Sequence, residues 1–182
     1  MPDTAPVSLT CDLLRFNTVN PPGDERACAK RLGRLLEDVG FRISYYDFAE
    51  KRTSLVATLA GSDDSLPICF TGHMDVVPLG MSPWRPDPFA GERDGDRLYG
   101  RGMSDDKGNI VARLAAVRAC VEERGGIPCN IKMFCEGEEE SGSINLPDLI
   151  AQRGDDFRAD ACIWEGGGRN LNNDPFMYLG LK

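Results

Sequence analysis

The sequence predicts an α/β sandwich with a largely parallel central sheet, and three observations carry that expectation. Short β-rich runs (SLVATLA, LPICFTGH, NIKMFCE, ACIW) alternate with segments whose apolar residues recur at helical spacing. Some of those runs are almost continuously apolar, as strands covered on both faces are. The conspicuous polar clusters follow ICFTG, precede the helix near residue 109, and follow NIKMFC and ACIW. In an open α/β sheet, function sits in such loops beyond the carboxyl ends of strands.

The elements follow in order. Residues 7 to 16 (VSLTCDLLRF) place apolar side chains on one helical face, and TVNPPGD then breaks the chain. A second helix is expected from about Glu25 to Val39, with Leu32, Leu35, Leu36 and Val39 on one face and Gly40 as its stop. FRISYYDF alternates, SLVATLA is β-rich, and LPICFTGH reads as a buried strand ending near His73. Residues 78 to 97 are rich in Pro, Gly and Asp and predict a long loop, with Asp94-Gly95 as a hairpin turn. A helix from Asn109 to Glu123 carries Ile110, Leu114, Val117 and Val121 on one side and ends at GGIP. NIKMFCE then predicts a strand, EGEEESGS a loop, INLPDLIAQ a short helix, and ACIW a strand leading into EGGGRN.

The composition, 41% hydrophobic and 27% charged over 182 residues, suits one domain with a sizeable core. A net charge of -8 without any Lys/Arg stripe argues against nucleic acid or an anionic membrane as a partner. MPDTAPVSLT lacks the basic and apolar stretches of a secretory signal, and no apolar run nears the ~20 residues that span a bilayer. Seven widely spaced cysteines without a CxxC pair read mostly as reduced core residues. The expected compartment is the cytoplasm.

The chemistry centres on TGHMDVVP, which contains the one histidine of the chain. In extended backbone, residues i and i+2 share a side, so Asp75 can reach the His73 imidazole and leave its other nitrogen for a metal. The plain alternative is a strand-end histidine held by local hydrogen bonds. GRGMSDDKG sets two aspartates among glycines just before a helix; an ordinary N-cap, with Lys107 balancing charge, is the alternative there. CEGEEESGS packs four glutamates into five residues, which calls for solvent or a compensating cation. ACIWEGGGRN places Glu165 at a strand end before a glycine turn, without the Lys-Ser/Thr of a phosphate loop. Together, one imidazole and several carboxylates at strand ends suit Zn²⁺, and a second metal with a bridging carboxylate accounts for so much converging acid. The pattern favours a two-metal hydrolytic site.

At these residues the chain resembles the di-zinc amidohydrolase family of acetylornithine deacetylase, succinyl-diaminopimelate desuccinylase, aminoacylase, carboxypeptidase G and carnosine dipeptidase. The likeness runs in order through LLRFNTVNPPGDE, TGHMDVVP, WRPDPF with LYGRGMSDDKG, EEESGS and WEGGG. It implies a zinc-peptidase-like, three-layer αβα sandwich with a mostly parallel central sheet. Residues 1–182 would be the N-terminal portion of the catalytic domain, with the lid and dimerisation domain beginning just after residue 182. The implied reaction is metal-dependent hydrolysis of an amide bond in N-acyl amino acids or small peptides. His73 and Glu165 would ligate the first zinc, Asp105 would bridge both metals, and Glu140 would ligate the second. Asp75 would clamp the His73 imidazole. Glu139 would act as general base on a zinc-activated water and return the proton to the leaving amine. That register matches E-E-x-G-S to Glu139–Ser143, and Glu138 leaves it open by one position. The bond between Asp105 and Asp106 is expected to be cis. Two Zn²⁺ per complete site are implied, with Co²⁺ or Mn²⁺ as substitutes, a small N-acyl amino acid or dipeptide as substrate, and a homodimer for the full-length protein.

One departure shapes the expectation. The family's second zinc also takes a histidine from later in the chain, and none is present here. The missing histidine implies a weak second metal, and a stop at FMYLGLK, where the family enters its lid domain, implies an absent substrate clamp, exposed apolar surface and an inactive isolated chain. Two rivals compete: a non-catalytic remnant that binds metal or a partner chain without turnover, and an acidic-loop protein without metal. EGEEESGS leans towards the dipeptidases, whereas NPPGDE suits the deacylases equally well.

Overall fold

The computed structural model describes residues 5–65, 67–165 and 168–176. Its elements run α1 (Pro6–Leu14), α2 (Arg26–Glu37), β1 (Arg42–Ala49), β2 (Arg52–Leu59), β3 (Ile68–His73), β4 (Glu92–Asp94) and β5 (Arg97–Tyr99). A tight turn over Met103–Lys107 then leads into α3 (Gly108–Arg124), β6 (Ile131–Glu136), α4 (Leu146–Phe157), β7 (Ala161–Ile163), β8 (Gly168–Arg169) and β9 (Pro175–Phe176).

The five-stranded sheet has the order β1-β2-β6-β3-β7. β2 runs antiparallel to both β1 and β6, while β6, β3 and β7 are mutually parallel. β2 alone therefore opposes the other four strands, and the sheet is mostly parallel as expected. The register sets His73 beside Glu136, so both strands deliver their last residues to one end of the sheet.

Alternation along the strands sorts side chains to two faces. On one face, Leu55, Ala57, Met133 and Cys135 pack with Leu13, Leu32, Leu36, Ile110 and Leu114 of α1, α2 and α3. On the other, Val56, Cys69 and Phe134 meet Leu146, Leu149 and Phe157 of α4. The result is a three-layer αβα sandwich. α2 shows the physical logic most plainly, since Cys28, Ala29, Leu32, Leu35 and Leu36 form one buried stripe. Past its end, Gly40 takes φ 105°, a left-handed conformation that a side chain resists. The Gly40 and Phe41 N–H groups then bond back to the Glu37 and Leu36 carbonyls at 2.9 and 3.1 Å. Val39 falls beyond the helix and is only partly buried.

Three expectations need adjustment. α4 reaches Phe157 rather than stopping near Gln152, because Phe157 packs edge-on against Phe134, with centroids 5.0 Å apart. The intervening Arg153-Gly154-Asp155-Asp156 carries no apolar period to reveal that continuation. β7 forms, but it is exposed along its length, with Ile163 and Trp164 about half exposed. Cys28, Cys69 and Cys135 are buried core thiols, whereas Cys162 is exposed. The Asp94-Gly95 hairpin appears as β4–β5, with Gly95 at φ 61°. Two glycines of EGGGRN, at 166 and 167, and the stretch 177–182 lie outside the described residues. Among the described residues, no helix is long and apolar enough to cross a membrane.

Candidate metal centre

β3 carries His73 into the sheet end with 1% of its surface exposed. Its backbone N–H donates to Asp106 Oδ2 at 3.3 Å. Nδ1 lies 2.9 Å from the Asp75 backbone oxygen and 3.4 Å from the Asp75 carboxylate. A carbonyl only accepts, so Nδ1 carries a hydrogen and Nε2 is the nitrogen presented outward. Nε2 faces Asp105 Oδ1 at 2.8 Å, Glu165 Oε2 at 3.3 Å and Glu139 Oε2 at 4.0 Å.

The fully buried Asp75 carboxylate does more than grip the imidazole. It accepts hydrogen bonds from the Glu139 N–H at 3.1 Å, the Glu140 N–H at 3.0 Å and Asn20 Nδ2 at 2.8 Å. Burial resists its ionisation, but bonds from His73 and Asn20 prevail and hold its pKa below the usual value. Asn20 also donates to Ser141 Oγ at 2.9 Å, so one amide ties the Asp75 carboxylate to the acidic turn. Glu138 turns away from this cluster. Its carboxylate is 4% exposed and accepts from the Asn145 N–H and, at 2.8 Å, from Asn145 Nδ2 at the start of α4. Within the acidic turn, Glu139 and Glu140 are the glutamates grouped with His73.

In the turn before α3, the Asp105–Asp106 peptide bond is cis. The Asp105 side chain is 69% exposed as it reaches His73. Asp106 is buried and accepts from Asn109 Nδ2 at 2.5 Å as well as from His73. Neither aspartate caps α3, which has no side-chain cap. Lys107 does not neutralise them either: it is fully buried, and its Nζ donates to the Phe16 carbonyl at 2.8 Å. Arg113 of α3 donates to the Thr71 carbonyl and, at 2.9 Å, to the Trp164 carbonyl, which fixes the approach to Glu165.

The described residues contain two overlapping sets of prospective ligand atoms, each within 4.8 Å: His73, Glu139 and Glu165, and His73, Asp105 and Glu140. Burial raises the pKa of Glu139, Glu140 and Glu165; His73 opposes the rise, and neighbouring carboxylates add to it. Burial also works against protonating His73, yet Asp75, Asp105 and Glu165 lift its pKa to about 10. Glu165 Oε2 is buried without a hydrogen-bond donor among the described residues. Concentrated carboxylates, an outward imidazole nitrogen and an orphaned acid oxygen fit a divalent cation of borderline hardness. All six residues singled out from sequence (His73, Asp75, Asp105, Glu139, Glu140 and Glu165) converge here. Asn20 and Arg113 were not singled out, and Asp106 and Glu138 were named without the buried hydrogen-bonding roles they take here. The Asn in NPP and the second Asp of SDDKG were visible, but their partners lie 33 to 121 residues away.

A mostly parallel α/β sandwich with a histidine–carboxylate cluster at the strand ends defines the class of α/β domains built around a metal-ligand centre. Residues 69–176 match Peptidase family M20/M25/M40, and the chain belongs to that family. It is 36% identical over 165 residues to a succinyl-diaminopimelate desuccinylase of Rhodospirillum centenum, covering 87% of this chain and 42% of the relative. Among solved structures it is similar to an M20 family metallo-carboxypeptidase, Sso-CP2, from Sulfolobus solfataricus. That TM-score is 0.83 at 27% identity, over 93% of this chain and 39% of the other. Human carnosine dipeptidase 1 aligns with a TM-score of 0.76 at 27% identity, over 87% of this chain and 37% of the other. The chain thus spans 42% of the length of the first curated relative it matches.

Proposed function

We propose that this chain forms part of a metal-dependent hydrolase that cleaves an amide bond in N-acyl amino acids or small peptides. The observation that carries the reading is the convergence of His73 Nε2 with Asp105, Glu139 and Glu165, beside Glu140. Relatives named as a desuccinylase and a dipeptidase support the substrate class. His73, Asp105, Glu140 and Glu165 would hold Zn²⁺, or Co²⁺ or Mn²⁺ in its place. A divalent ion bound there would polarise a carbonyl and lower the pKa of water.

The remaining work falls to the chain's own groups. Asp75 orients the imidazole and, through two amides, the turn that bears Glu139 and Glu140. Glu139, with a third of its side chain exposed and its pKa raised by burial, takes a proton at its carboxylate and returns it to the leaving amine. Reduced cysteines and the acidic composition suit a cytoplasmic enzyme, and a homodimer belongs to the same reading.

The test is metal per chain after zinc loading, by elemental analysis, for wild type and His73→Ala, followed by amine release from N-succinyl amino acids and dipeptides. About one tight zinc, lost in the variant, is the expected result for a three-ligand set of this kind. Equal zinc in both proteins would refute the assignment of His73. Uptake without turnover of either substrate class, measured on the chain extended to the length of its relatives, would leave a metal-binding role alone.

A further inference from the structure

Arg52, the first residue of β2, makes three bonds to two separate stretches of chain, residues 22–25 and Gly137. Its Nε donates to Glu25 Oε2 at 2.6 Å, Nη1 to the Pro22 carbonyl at 2.9 Å, and Nη2 to the Gly137 carbonyl at 2.8 Å. The side chain is 14% exposed, and the Glu25 side chain that orients it is fully buried. The guanidinium also lies over the Phe48 ring, 5.2 Å from its centroid. Backbone is shaped to admit this group. Gly23 sits at φ 80°, and a Cβ there would collide with the guanidinium. A Cβ at Gly137 would come within 2.7 Å of the Thr53 carbonyl.

The two carbonyls that Arg52 holds lead into the metal centre from opposite sides. Pro22 follows Asn20, whose Nδ2 bridges the Asp75 carboxylate and Ser141. Gly137 precedes Glu139 and Glu140, whose N–H groups bond the same carboxylate. We infer that Arg52 is a positioning residue for the metal centre: by fixing the turns at Pro22 and Gly137 that converge on Asp75, it sets where Glu139 and Glu140 stand relative to His73. The inference rests on the metal-centre reading above. Lysine cannot replace the arginine, because a single ammonium on a flexible stem lacks the planar fork that spans three fixed acceptors.

The experiment titrates Co²⁺ into the chain and reads affinity and the visible absorption of the bound ion. Wild type is compared with Arg52→Met, Arg52→Lys and Val117→Ala, a core truncation in α3. Both Arg52 variants are expected to bind cobalt roughly 10–100-fold more weakly, the range seen when partners of ligands are removed, with an altered spectrum. Val117→Ala is expected to lower the urea midpoint and leave both readouts unchanged. Arg52→Lys keeps the charge and the stem, so it carries the test if Arg52→Met does not fold. Wild-type affinity and spectrum in Arg52→Lys overturn this inference and leave the metal centre standing. A wild-type chain that takes up no cobalt overturns both.

Discussion

Asp75 shows how much a single buried side chain can organise. Among the described residues, each polar partner of its carboxylate is a donor: two backbone amides, the Asn20 amide and the His73 ring nitrogen at 3.4 Å. Asp75→Asn is therefore not a mild change, since either orientation of the new amide points N–H at N–H. It is expected to cost about 1–3 kcal/mol in urea unfolding, the penalty of an unmet buried polar group, and to weaken zinc at least tenfold by chelator competition. Unchanged zinc affinity would show that Asp75 does not set the ligand geometry. A second substitution addresses the acidic register. Glu138→Ala removes the acceptor for Asn145 and should cost about 1 kcal/mol while keeping zinc, whereas Glu140→Ala should lose zinc. Zinc loss in Glu138→Ala instead would shift the ligand assignment by one position. At this scale the sequence was half legible. H-x-D spacing placed Asp75 beside His73, but nothing local could reveal Asn20, and the bonds to Asn145, seven residues on, tell Glu138 from its neighbours.

Elements were legible in proportion to how strongly each is buried on one side. α2 and α3 carry buried stripes, and their bounds were read to within two residues. α4 has no fully buried residue and leans on the sheet through Leu146, Leu149 and Phe157, so its charged end gave no period to follow. The same thin attachment predicts its dynamics. Few buried contacts mean a low free energy of local opening, so α4 amides should exchange with deuterium faster than those of α2. Phe157→Ala, which removes the ring contact with Phe134, should abolish the remaining α4 protection and leave α2 untouched. Hydrogen-exchange mass spectrometry on both proteins checks this. Equal slowing in α2 and α4 would mean that the two faces of the sheet open as one unit.

Across the whole molecule, sheet order was the least legible feature. Alternating strands and helices announce parallel pairing, but nothing in β2 says that it inserts, reversed, between β1 and β6. The parallel strands β6, β3 and β7 gather acid at one sheet end, and the consequence is a definite pH dependence. Burial outweighs the Arg52 bond and lifts Glu25 from 4.5 to about 7; burial likewise lifts Glu136 to about 7 against a bond from Ser143. His73 rises from 6.5 to about 10. In each case the folded chain holds a proton that the unfolded chain releases. The two glutamates therefore contribute stability that is complete below about 4.5 and lost as pH rises through about 7, and the histidine contribution is lost on rising through about 10. The metal-free chain should accordingly be less stable at pH ~9 than at pH ~5.5. Metal reverses the trend, because its ligands must be a neutral imidazole and ionised carboxylates, so binding strengthens as pH rises. Stabilisation by bound zinc follows RT ln(1 + [L]/Kd), about 2.7 kcal/mol at a hundredfold excess over Kd. Urea midpoints measured with chelator and with buffered zinc across this range should diverge, the first falling and the gap between them widening. A chelated chain that gains stability with pH would show that the glutamate and histidine protons are not held as described. A gap that narrows instead would show that His73 and its carboxylates are not the ligands.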